Sequence, residues 1–153
     1  MAVYQTSKSA SYGTTYGPGI ARQLLCDTVI IALTTAMIDN ADDEVGLVWL
    51  PKGAIIEGMT VSISDVDTGA AFVVDIGIVG TEELILANAT TGQSTGINVT
   101  MAQAGHLYKC TARTQLRAFV STASGTPAAG TLKFSIRYFV DPEFSDTALT
   151  AAV

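Results

Sequence analysis

A base-and-nucleophile pair in this chain would have to use its one histidine, His106, which stands in GHLYKC between a glycine and a strand-like stretch. No nucleophile-elbow pattern accompanies it, so it reads as a strand-end or surface residue without a catalytic role. Asp65, Asp67 and Gly69 in DVDTG echo the opening of a calcium loop, and Asp39, Asp42, Asp43 and Glu44 form a second acidic group. Counting Asp65 as the first position of such a loop, the twelfth, which should hold a bidentate glutamate, is the apolar Ile76. Turn chemistry explains DVDTG without a cation, because Asp and Gly cap their own backbone or tolerate positive φ. Asn88-Ala89-Thr90 and Asn98-Val99-Thr100 match the glycosylation acceptor pattern, but no secretory signal gives that match weight. Trp49 could stack on a sugar, yet it alternates with Leu47 and Val45, which assigns it to the core. Cys26 and Cys110 both lie in strand-like contexts and read as reduced, buried thiols. The residues thus supply no catalytic set, no metal site and no cofactor site.

The elements that hold these residues are strands. In LVWLPKGAIIEGMTVSISDVDTGAAFVVDIGIV, Met59, Val61 and Ile63 fall on one face while Thr60, Ser62 and Ser64 fall on the other, and Phe72, Val74, Ile76 and Ile78 repeat the period. DVDTG between them is expected to close a β-hairpin. Residues 24–37, LLCDTVIIALTTAM, are apolar at both parities and suit a central strand. Asp39 to Glu44 reads as a polar loop, Val45 to Leu50 as the next strand, and Pro51 ends it. Further strands are expected at 84–86, at Ile97, Val99 and Met101, over 106–111, and at Leu116, Ala118 and Val120. In the last strand Leu132, Phe134, Ile136, Tyr138 and Val140 oppose Lys133, Ser135 and Arg137. About eight or nine strands at roughly 8–12-residue spacing, with no convincing helix, predict an all-β, single-domain antiparallel β-sandwich, with a jelly roll as first choice.

Length and composition agree with that architecture. A chain of 153 residues can bury roughly two thirds of its unfolded surface without a metal or a disulfide. Hydrophobic residues make up 48% and charged residues 14%, with Thr, Ser, Gly and Ala at polar positions, as suits a surface covered by partners. A net charge of −6 with eight scattered basic residues argues against nucleic acid. Apolar runs such as Val29 to Leu33 are too short to span a bilayer, and MAVYQTSKSASYG lacks the apolar stretch of a signal peptide, so a soluble chain made in a cytoplasm is expected.

The ends differ from the body. Residues 1–23, rich in Ser, Thr, Tyr and Gly, read as an extended N-terminal arm; 24–141 form the sandwich, and 142–153 a C-terminal tail. Tyr4, Tyr12 and Tyr16 are unusual in a purely solvated arm, because aromatic residues collect where a partner buries a surface. With Phe144 and Leu149 of the tail they are the candidate interface residues.

The run LPKGAIIEGMTVSIS, then DVDTG and FVVDIGIVG, with a later ILANAT and the final LKFSIRYFV, resembles the head decoration proteins (capsid-stabilising, or cement, proteins) of tailed bacteriophages. The likeness covers about residues 24–140. It consists of a Leu-Pro-x-Gly step before a strand, an Asp/Gly turn, and a segment like Asp75-Ile76-Gly77 in the strand that follows. The resemblance implies a small sandwich, often a homotrimer, that binds the major capsid protein on the outside of the shell and ties its subunits together against internal pressure. No residue would then carry reaction chemistry. A glycan- or receptor-binding module of a phage head or tail fibre is the alternative, with the loop from Ala87 to Gly96 as its reading surface.

Overall fold

The closing strand is the centre of one layer. In the computed structural model, which describes residues 3–4 and 24–140, Gly130–Val140 alternates buried and outward residues along its length, as its sequence demands. The strands in chain order are β1 (Val3–Tyr4), β2 (Leu25–Leu33), β3 (Glu44–Leu50), β4 (Ala54–Ile63), β5 (Val73–Ile78), β6 (Thr81–Ala89), β7 (Gly96–Asn98), β8 (Thr114–Thr122) and β9 (Gly130–Val140). Helix among the described residues is limited to two 3-10 turns, Thr35–Met37 and Gln103–Gly105.

Two sheets pack face to face. One runs β2-β9-β4-β7; the other runs β3-β8-β5-β6, with β1 added in parallel outside β3. Apart from β1 this is the eight-strand jelly-roll order, in agreement with the expected fold class. The core lies between the sheets, where Val61, Phe134, Ile136 and Tyr138 of the first meet Leu47, Ile76 and Leu116 of the second. Among the described strands, β5 and β6 are the consecutive pair that stays within one sheet, turning through Val79 and Gly80, whose φ of 83° is open to glycine.

That order corrects several expectations. DVDTG closes no hairpin, because β4 and β5 lie in different sheets and the segment crosses between them. Alternation identifies strands but not their partners, so the same pattern served two topologies. Residues 25–33 form an edge strand of alternating burial, not a central one; β9 covers one side and Ile30 is 65% exposed. The expected strand at 106–111 is an irregular segment bridged to β4 at Ile55 and Lys109, with Leu107 at a positive φ of 58°. Glu44 opens β3 and is buried, so the acidic loop ends one residue earlier than expected.

The crossing at DVDTG ties three loops into one end of the barrel-like body. Asp67 is fully buried. Its carboxylate accepts the N–H groups of Gly69 (3.0 Å), Ala71 (2.6 Å), Phe72 (2.6 Å) and Thr126 (3.2 Å), and the Thr126 hydroxyl at 3.3 Å. Val66 donates its N–H to the Gly92 carbonyl and accepts from Ala128. Loops 64–72, 90–95 and 123–129 are thereby pinned together. Burial opposes the charge on Asp67, but the N–H groups of Phe72, Ala71 and Gly69 and the Ser124 hydroxyl outweigh it and hold the carboxyl well below the usual carboxylate range. A depressed native pKa contributes stability that is fully present above the ordinary value of 3.8 and declines as pH falls below it. Wild-type protein should therefore lose unfolding free energy as pH drops under about 4, by an amount that Asp67→Asn no longer shows. Parallel urea titrations from pH 6 to pH 2.5 check this; identical slopes for the two proteins would contradict it.

Candidate assembly surface

With the core filled by apolar side chains, the groups able to engage a partner lie on the outward faces of the two sheets. The outward face of the β3-β8-β5 sheet carries Trp49, Gln115, Arg117, Glu44, Phe119 and Asp75. Trp49 is there because of a β-bulge: the β3–β8 register shifts between Gly46 and Val48, so Val48 and Leu50 enter the core and Trp49 between them points outward. It is half-buried, opposite Gln115, with the Arg113 guanidinium 4.4 Å from its ring centroid. The expectation of a core tryptophan fails because one inserted residue inverts the alternation on which it rested.

Arg117 lies across from Gly46 on one side and Gly77 on the other, which leaves room for its guanidinium. Its Nη1 donates to the Glu44 carboxylate, and its Nε donates to Gln115 Oε1 at 3.0 Å. The Glu44 side chain is 6% exposed and that of Arg117 21%, so this is a largely desolvated pair. Phe119 sits between Glu44 and Asp75 in register and is buried, although its neighbours Ala118 and Val120 are the residues that face the core. The Asp75 carboxylate accepts the Asn88 N–H, which serves the positive-φ kink at Asn88 in β6. Gly77 is needed because a Cβ there would lie 2.2 Å from the Thr81 carbonyl oxygen and 2.3 Å from that of Glu82. The Asp75-Ile76-Gly77 segment therefore has a structural explanation in each residue.

The outward face of the other sheet is different in kind. Thr28, Ser135, Thr60 and Ser62 line it, with Lys133, Arg137 and Glu57 as its charges and Arg137 Nε 3.1 Å from the Glu57 carboxylate. Ile30 on β2 and Ile97 on β7 flank it at 65% and 71% exposure, and Val99 follows Ile97. This face is hydroxyl-rich and sparsely charged, and its exposed apolar side chains lie along its edges at Ile30, Ile97 and Val99.

The remaining sequence candidates separate clearly. His106 is exposed at the end of the second 3-10 turn. Among the described residues no group of three or more His, Cys, Asp and Glu converges on a common point. The Asp67 oxygens are taken by backbone donors, which explains DVDTG without a cation. Cys110 is buried, and burial pushes its thiol up to about 11 against the opposing pull of the Thr114 hydroxyl, so it is unreactive. Cys26, expected to be buried, is exposed, because its position on β2 faces outward beside Arg137; neither thiol is in a disulfide. Thr100 N–H bonds the Asn98 side-chain oxygen at 2.8 Å, a local turn at one of the Asn-x-Thr sites. No described helix is long and apolar enough to cross a membrane. Of the candidate interface residues, Tyr4 lies in β1, where only its backbone is described; Tyr12, Tyr16, Phe144 and Leu149 lie outside the described residues. The Trp49–Arg113 and Arg117–Glu44 groups were not legible as a site beforehand, since a bulge and a pairing across distant strands leave no local signal.

No protein-family model matches this chain, and no curated protein does. Solved structures do. A chain in the capsid of Ralstonia phage GP4 superimposes with a TM-score of 0.73 at 23% identity, covering 91% of this chain and 98% of that one. A chain of the cyanophage Pam1 capsid asymmetric unit gives 0.68 at 23% identity, covering 88% and 97%. A third, in the acid-stable capsid of Helicobacter pylori bacteriophage KHP30, gives 0.58 at 15% identity, covering 79% and 90%. At these identities the likeness is one of fold: this chain is a jelly roll of the kind found in phage capsids.

Proposed function

We propose that this chain is a structural protein of a tailed-phage virion that binds the outside of the shell and ties neighbouring major capsid subunits together. The observation that carries the reading is coverage. The GP4 and Pam1 capsid chains are spanned over 98% and 97% of their length, so the likeness extends over nearly the whole of those chains and not over one part of them. One outward face is compatible with the role, being sparsely charged and flanked by the exposed Ile30 and Ile97, which suits broad contact better than a reaction; on the other, Glu44, Gln115, Phe119 and Asp75 are buried and Trp49 and Arg117 are the partly exposed groups. In this reading the protein is a homotrimer, no residue does chemistry, and Tyr4, Tyr12 and Tyr16 of the arm with Phe144 and Leu149 of the tail bury against capsid subunits or sister copies. Many weak contacts repeated over a symmetric shell then add through effective concentration.

Particles assembled without this chain should release their genome on heating at a lower temperature than complete particles, and added purified protein should restore the difference. Protein lacking residues 1–19 should keep its fold and restore less. Equal release temperatures with and without the chain would contradict the reading.

A second reading rests on Trp49. An outward indole on a phage jelly roll is also what a glycan-binding module of a head or tail fibre would present. Binding on a glycan array that disappears in Trp49→Ala would favour it; a blank array with folded protein counts against it.

A further inference from the structure

The sheets are unequal on one flank, and the mismatch points to a docked strand. β2, the edge of the four-stranded sheet, packs across from β3, but β3 has β1 beyond it, and no described strand lies opposite β1. The other edges are blunted in familiar ways: β7 is three residues long, β6 carries Glu82 and Glu83 and an irregular register with β5, and β3 is shielded at its start by β1. β2 has none of these devices in its second half. It pairs with β9 without a bulge, Val29–Leu33 contains no charge and no proline, and Ile30 stands 65% exposed on its outward face. An apolar edge that is regularly paired, with no bulge, charge or proline to blunt it, receives strands by main-chain pairing.

We propose that the edge of β2 at 29–33 is the docking site of the C-terminal segment, residues 147–153. TALTAAV is uncharged, free of proline and glycine, and alternates Thr147, Leu149, Ala151 and Val153 against Ala148, Thr150 and Ala152. The stretch between Tyr4 and β2 offers no equal, being interrupted by Lys8, Gly13, Gly17, Pro18 and Gly19. The starting point is also right. β9 ends at Val140, beside the beginning of β2, where Leu25 pairs with Tyr138. The seven steps from Val140 to Thr147 can reach ~23 Å, and the site at Val29 lies ~10 Å to the side and ~20 Å along β2, ~22 Å in all. Seven residues then span ~23 Å alongside β2, parallel to it. Leu149 would complete the layer beneath β1 or cover Ile30, according to register. The segment docks on its own molecule or on a second copy, where it becomes a link between subunits.

Hydrogen exchange measured on a peptide covering residues 29–33 tests this, in the full chain, in a chain ending at Asp146, and in full-length Thr150→Pro, whose proline removes a ladder donor. Exchange at these amides should quicken by about tenfold or more in both variants, while peptides from β4 and β9 stay as protected as before. Equal exchange in all three proteins would overturn the proposal. Protection that survives dilution of the full chain places the donor in the same molecule, and protection that fades places it in a second copy; both outcomes support the docking.

Discussion

Replacing Phe134 by alanine is expected to remove about 4 kcal/mol of unfolding free energy. The side chain is completely buried, and β9 lies between β2 and β4, with Val29 in register on one side and Val61 on the other. Partners fixed on both sides leave little scope for the cavity to collapse, and a cavity that cannot collapse carries the full cost. Against a total stability of about 5–15 kcal/mol such a loss leaves the variant marginal at 37 °C. Lys133→Ala, the exposed neighbour on the opposite face, should stay within about 0.5 kcal/mol. Urea unfolding of the two variants makes the comparison; a Phe134→Ala loss below about 1.5 kcal/mol would mean that the sheets do not pack as described.

The second large effect belongs to the outward face. Arg117→Met should cost about 3 kcal/mol, because it leaves the Glu44 carboxylate without the guanidinium that compensates its burial. Adding Glu44→Gln should recover much of that loss, since the double variant buries no unpaired charge. A double-mutant cycle in urea reads the coupling directly. If Arg117→Met costs less than about 1 kcal/mol, the pair behaves as a solvated surface bridge and this face is open to water.

The alternating sequence of β9, β4 and β8 made the sandwich readable, because a strand packed on one side must repeat every second residue. Leu132 through Val140 follow that rule without exception. What failed were the features set by pairing across distant positions. Asp67 looked like the turn of a hairpin, and it does cap a turn, but the donors it collects include Thr126, and nothing local announces that β5 joins the other sheet. A bulge one residue long turns Trp49 outward, and Cys26 is exposed because only one face of β2 is covered although its residues are apolar at both parities. The candidate site was less legible than the fold. Arg117 and Glu44 come together through a β3–β8 register that periodicity does not contain, and the arm and tail residues rest on composition alone.

Binding to capsids of the parent phage that lack this chain tests the central claim most directly. Increasing amounts of purified protein are added, capsids are sedimented, and the bound fraction is read against total protein. Saturation at a fixed ratio to capsid subunits is the expected result. No sedimentation of folded protein with intact capsids at any concentration would contradict a decorating role.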